Sequence, residues 1–437
     1  MLKDSYGNKL ATGSQSARDS YIDGVEGFLS AQPGTEDAFR DAAQADETFA
    51  LAHVGIARCR LLMGDGVGAK EAMALARTGL PGLSEREAAH VDAIGRIVDG
   101  DGPGAYKAIR AHVLEYPCDV MIAQTCTSVF GIIGFSGREG REAEQLAYTT
   151  MLAPAYGNDW WFLGMHAFAQ SEVGQLDVAR DTIERALEGN PRSAHNAHVS
   201  AHIYYEAGDN GAGYRFLRGW WTDYQKGGAI HGHISWHVAL WALANGDSEA
   251  AWQIVDDYCK PGGSEGPPLN ILTDTVSFLH RAALAGIPIA PERWQEISAY
   301  AAANFPNSGL AFADIHAALA HCMAGNDDAY ETLTRQAAGP AADIVSTVWD
   351  GFHAFAAEDW DGVEVHLGAA MSTHERLGGS RAQRDLLVFS LAHAMQQRGK
   401  QQDAARLIAM SRPRQTELAK VCKAAPLPSV PFRDTCF

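Results

Sequence analysis

A short punctuation recurs along this chain and governs what it can become. Gly64-Asp65, Gly100-Asp101, the stretch Gly137 to Gly140, Gly174-Gln175, Gly208-Asp209, Gly246-Asp247, Gly325-Asn326 and Gly399-Lys400 each close one run of Ala, Leu and aromatic residues and precede another. Gly with Asp or Asn is the chemistry that ends one helix and starts the next, and the apolar residues between recur at helical steps. Alternation and β-branched runs, which strands need, are scarce. From Gly174 to Gly208 is 34 residues, the period of a two-helix repeat unit, and from Gly208 to Gly246 is 38, so the units are irregular. A chain of 437 residues built this way grows by stacking units rather than by thickening one core.

The first clear unit runs from Ala38 to about Leu62. A helix closes at Ala45-Asp46, and a second opens near Phe49 with small residues Ala52, Gly55 and Ala57 where paired helices approach. The expected fold is therefore all-α, an α-α superhelix of tetratricopeptide-like helix pairs forming one solenoid over residues 1–410, with a polar, Pro-containing C-terminal tail over 411–437. The interval from Gly246 to Gly325 holds about two units, broken by the Pro/Gly-rich loop from Lys260 to Pro268. A multi-helix domain without true repeats is the plainer alternative.

With a net charge of −18, the chain lacks the basic patch that nucleic acid or an anionic membrane surface demands. No segment approaches the ~20 apolar residues of a membrane span, and the polar start lacks the apolar core of a secretory signal. Seven scattered cysteines without a CxxC read as reduced thiols, so a cytoplasmic location is expected.

The 17 histidines are unevenly spread. Six fall between 195 and 237: His195, His198 and His202 in one helix, then His231, His233 and His237 in another. His198/His202 and His233/His237 are each spaced i, i+4 and so share a helix face, with Glu206 continuing the first stripe. Three readings stay open. Four imidazoles suit a divalent metal such as zinc or iron, presented as helical bundles present ligands. They equally suit a metal-free acid/base pocket with a carboxylate partner. They also suit packing between helices. HxxxH lacks the Glu of HExxH, so no metalloprotease reading follows.

Further polar residues interrupt apolar helix faces: Asp274, Asp314 and His316. In Gly378-Gly-Ser-Arg-Ala-Gln-Arg-Asp385, Ser380 is a plausible helix cap with Gln383 at the capping-box position, while Gln383, Arg384 and Asp385 are also groups able to hold a ligand. The pairs Trp160-Trp161 and Trp220-Trp221 fit helix packing better than stacking platforms. GxGxxG, GxxxxGK[ST] and GxSxG are all missing, which disfavours nucleotide and α/β-hydrolase chemistry.

Taken together these residues resemble the tetratricopeptide repeat protein 38 family over most of residues 1–410. The resemblance is carried by Asp4-x-x-Gly7-x-x-Leu10-x-Thr12 with Ala17, His198-x-x-x-His202, His233-x-x-Trp236-His237-x-Ala239-Leu240, Asp274, Asp314-x-His316 and Gly378-Gly-Ser-x-Ala-Gln-Arg-Asp385. Where the family pattern leads one to expect a further His and Glu after His202, this chain has Tyr204, Tyr205 and then Glu206. The resemblance implies an α-superhelical fold and brings no reaction with it.

Two functions follow as expectations. As an enzyme, the protein would be a metal-dependent hydrolase or carry out other base-assisted chemistry on a small polar compound. His198, His202, His233 and His237 would hold the metal, Glu206, Asp314 and His316 would act in catalysis, and Asp274, Gln383, Arg384 and Asp385 would bind substrate. The alternative is a non-catalytic scaffold whose concave groove grips a peptide or protein. Besides the small-molecule ligand, a second copy of the chain, as a homodimer, stays open as a partner, since the sequence does not set the oligomeric state.

Overall fold

A computed structural model describes residues 2–414. Among the described residues there are 22 α-helices and three short 3-10 segments, and the only strand-like pairing is a single antiparallel bridge between Lys3 and Lys9. Successive helices pack against each other as antiparallel neighbours, giving the expected solenoid of tetratricopeptide-like pairs. None of these helices is long and apolar enough to cross a membrane, and the five described cysteines are all free.

The recurring turn has a local cause. At Gly64, Gly100 and Gly246 the backbone is left-handed, with φ of 79°, 81° and 82°. The following Asp then donates its N–H back to the carbonyl five residues earlier, Asp101 to Arg96 at 2.9 Å and Asp247 to Ala242 at 2.9 Å. Glycine closes one helix at no steric cost, and the Asp65, Asp101 and Asp247 carboxylates cap the next. One turn of this kind has no glycine: Glu358 takes the left-handed position, φ 56°, before the capping Asp359.

The solenoid curls until distant units meet. Near the start, Ala31 O accepts from the Tyr224 hydroxyl at 2.5 Å, and Gln32 Nε2 donates to Arg192 O at 2.7 Å. Further on, buried Arg141 donates to the carbonyls of Glu375 and Gly379, each at 2.5 Å, while Arg376 Nε reaches Gly137 O at 2.9 Å. Phe130 packs on Phe312, ring centroids 5.5 Å apart. The N-terminal units and the C-terminal third thereby enclose a cavity of about 1320 Å³.

The helix Gln401–Ser411 ends the regular structure, and Arg412 beyond it is buried. The tail expected over 411–437 lies, from residue 415 onward, outside the described residues.

Candidate functional site

Two helices carry the imidazoles. Ala194–Ala207 starts under the Ser193 cap and buries most of its length, and His231–Ala244 is buried almost all round. An apolar helix sealed on every side is one that places a polar side chain only where something meets it. The i, i+4 spacing brings His198 over His202 and His233 over His237, and the two stripes face each other. One ligand nitrogen from each of the four lies within 4.8 Å of the others. His198, His202 and His233 line the cavity, and His237 sits behind them.

The Nε2 atoms of His198 and His202 are 2.9 Å apart. Between two neutral rings that contact admits one shared proton or a cation. His202 Nδ1 and His237 Nε2, both buried, have no hydrogen-bond partner. Burial pushes the His202 ring down to about 3 and holds His198 and His237 well below the usual imidazole value, with repulsion between neighbouring imidazoles adding to it. His198, His202 and His237 are therefore neutral at pH 7, the form in which imidazole binds a metal.

Behind the cluster, Asp274 on the helix Pro268–Leu284 accepts from His233 Nδ1, with both carboxylate oxygens at 2.9 Å. Burial raises the Asp274 carboxyl, and His233 opposes that rise. Accepting at Nδ1 fixes the tautomer and leaves Nε2 as the lone-pair donor, the usual support behind a metal-ligating His. Asp274 thus touches a histidine; it does not line the cavity.

The other expected site residues gather elsewhere. Glu206 and Asp385 grip Arg412 at 2.5 Å and 2.7 Å, and Asp385 also accepts from the Tyr205 hydroxyl at 2.5 Å. Arg384 donates to Gly379 O at 2.5 Å and pairs with Glu142. Gln383 completes the capping box with Ser380 and alone of this group lines the cavity. Asp314 accepts from Ser308 Oγ at 2.9 Å and Gly309 N at 3.0 Å, and His316 Nδ1 donates to Phe312 O at 2.7 Å, so both bind their own local backbone or loop. The structure brings the four histidines and Asp274 together, while Glu206, Asp314, His316, Arg384 and Asp385 bond to other partners.

The ion-pair group has members that sequence reasoning did not name. Glu172, wholly buried, accepts from the Arg381 N–H at 3.0 Å; burial together with Glu142 pushes its carboxyl up to about 7. Arg141 and Arg412 close the same group. A second buried group, also unforeseen, ties Asp119 to Arg86 at 2.6 Å and to His90 and His112 at 3.0 Å each. Burial opposes ionisation of Asp119, but these cationic and hydrogen-bonding partners hold its carboxyl far below the usual range.

No protein-family model matches the chain. Among solved structures, a complex of Naa15 and Naa10 bound to HypK-THB is similar to 91% of this chain at 11% identity and a TM-score of 0.24. This chain spans 58% of that one's length.

Proposed function

We propose that His198, His202, His233 and His237 hold a divalent metal, zinc or iron, in the wall of the internal cavity, and that the protein is an enzyme acting there on a small molecule in a hydrolytic or other metal- or base-assisted reaction. The observation that carries the reading is the convergence of four imidazoles within 4.8 Å, one of them oriented by a buried carboxylate, at the edge of a cavity. Four imidazoles would fill a four-coordinate zinc, whereas a six-coordinate iron held by them would keep two positions for water or substrate and would lower the pKa of that water. Elemental analysis of protein purified without chelator tests this. About one equivalent of metal, lost in His198→Ala/His237→Ala while the helical spectrum is kept, is the expected result. Wild-type protein without stoichiometric metal refutes it.

The size of the cavity favours a second reading. At about 1320 Å³ it exceeds the ~300–1,000 Å³ of ordinary small-molecule sites and has room for a short peptide. Dialysis against a random hexapeptide pool separates the two. Sequence-selective enrichment that persists in His198→Ala/His237→Ala supports a peptide-gripping scaffold over a metal-centred enzyme.

Membership of the tetratricopeptide repeat protein 38 family and a cytoplasmic location belong to the same proposal. The first is supported by the clustering of its marks His198, His202, His233, His237 and Asp274, the second by the free cysteines.

A further inference from the structure

Beyond the imidazoles, the cavity wall carries a guanidinium whose charge the fold does not answer. Arg58, on the helix Ala50–Leu62, donates from Nη1 to the Met121 carbonyl at 2.5 Å and from Nη2 to Gln124 Oε1. Its Cζ lies 4.5 Å from the centroid of the Phe28 ring. Both hydrogen-bond partners are neutral, and among the described residues no carboxylate touches it. Arg60, two residues on, shows the contrast, since it is paired with Glu36 at 3.2 Å. Burial pushes the Arg58 guanidinium down to about 10, against weaker attraction from Cys59, Tyr21 and Asp119.

Gln383 repeats the pattern. The residue lines the cavity, its Oε1 accepts from Ser380 N at 2.9 Å, and its Nε2 is buried without a partner. The acids lining the same space are otherwise placed: Glu36 is held by Arg40 and Arg60, and Asp37 and Glu265 are exposed. Arg138 in the same wall is paired with Glu144 at 2.6 Å, which leaves Arg58 as the lining guanidinium without an ion-pair partner among the described residues. The remaining lining is largely apolar, with Phe28, Phe130, Phe135, Phe168 and Leu269 among it. A matching ligand brings acceptor oxygens, one negative charge and a hydrocarbon or aromatic body.

We propose that the cavity binds a small monocarboxylate with an apolar body, its carboxylate on Arg58 and its body along the apolar wall shared with the histidines. The proposal rests on the reading of this cavity as the working site. A single guanidinium balances one charge, which selects a carboxylate over a phosphate dianion.

Calorimetric titration with octanoate, 1-octanol and octyl phosphate tests it on wild type, Arg58→Gln and Gln124→Glu. The last variant gives Arg58 an internal carboxylate with almost no change of shape, so it keeps the test valid if Arg58→Gln fails to fold. The expected result is octanoate binding at least ten-fold tighter than 1-octanol or octyl phosphate, with that preference lost in Gln124→Glu and in folded Arg58→Gln. Equal affinity for octanoate and 1-octanol, tighter binding of octyl phosphate, or undiminished octanoate binding by Gln124→Glu overturns the proposal. Metal content of the same samples keeps the two readings apart. Octanoate selectivity in metal-free wild-type protein upholds this proposal while refuting the metal centre, and metal-replete protein blind to the carboxylate does the reverse.

Discussion

Lowering the pH is a sharp test of how deeply the histidines outside the metal cluster are sealed. His280, His316 and His321 are each about 1% exposed or less, and burial pushes them down to about 3, 4 and 4 from 6.5. A base depressed in the folded state takes its proton first in the unfolded state. Its stabilisation is therefore complete above pH 6.5 and drains away as the pH falls toward 3–4. Between pH 7 and 5 each of the three loses about 2 kcal/mol, together about 5–6 kcal/mol, at a limiting slope of about 4 kcal/mol per pH unit. Glu172 works in the opposite sense: raised to about 7, it takes a proton in the folded state and returns about 2 kcal/mol over the same interval. The net loss of about 3–4 kcal/mol is a large share of a typical folding stability of ~5–15 kcal/mol. Guanidinium unfolding at pH 7, 6 and 5 in chelator-treated buffer measures it, with the His198/His202/His237 set adding loss of the same sign. In His316→Gln the slope falls by about one proton, or about 1.4 kcal/mol per pH unit, whatever the variant does at pH 7. Stability that is flat between pH 7 and 5, or a slope unchanged in His316→Gln, refutes the reasoning.

Three further outcomes are expected. Asp274→Asn removes the carboxylate that orients His233 and weakens metal binding ~10–100-fold, read by competition with a chelating dye; unchanged affinity means Asp274 serves only the fold. Glu358→Gly relieves a left-handed residue and raises stability by about 1 kcal/mol, seen as a higher Tm; a lower Tm says the Glu358 side chain contributes more than its backbone strain. Arg412→Ala strands Glu206 and Asp385 in the interior and costs about 3–5 kcal/mol, and chemical denaturation within 1 kcal/mol of wild type would show that water reaches both acids.

What the sequence made legible follows from distance along the chain. The Gly-Asp turns were readable because helix stop, left-handed residue and cap are consecutive. The turn at Glu358 was missed because its left-handed residue is not a glycine. His198/His202 and His233/His237 were readable because four residues make one helical turn, and their meeting required only that neighbouring units pack. Arg58 and Gln124 are 66 residues apart, Glu206 and Arg412 are 206 apart, and no local periodicity links such pairs. Asp314 and His316 were legible as oddities in an apolar face, but a short bond to nearby backbone satisfies each of them. Seen from the sequence, such a residue looks the same as one aimed at a ligand.

The meeting of Arg141 with Glu375 and Gly379 bears on how the molecule forms. Open repeat arrays can assemble from any point outward, because each unit touches only its neighbours. Here a contact 238 residues apart closes the array, and joining ends that far apart carries a chain entropy of about 5 kcal/mol beyond a fixed constant. Such a contact is made late, after the units that flank it. The cavity then comes into being at the closing event, so an occupant stabilises what the rate-limiting barrier has not yet built. A ligand in the cavity should slow the escape from the native state and leave the speed of reaching it almost untouched.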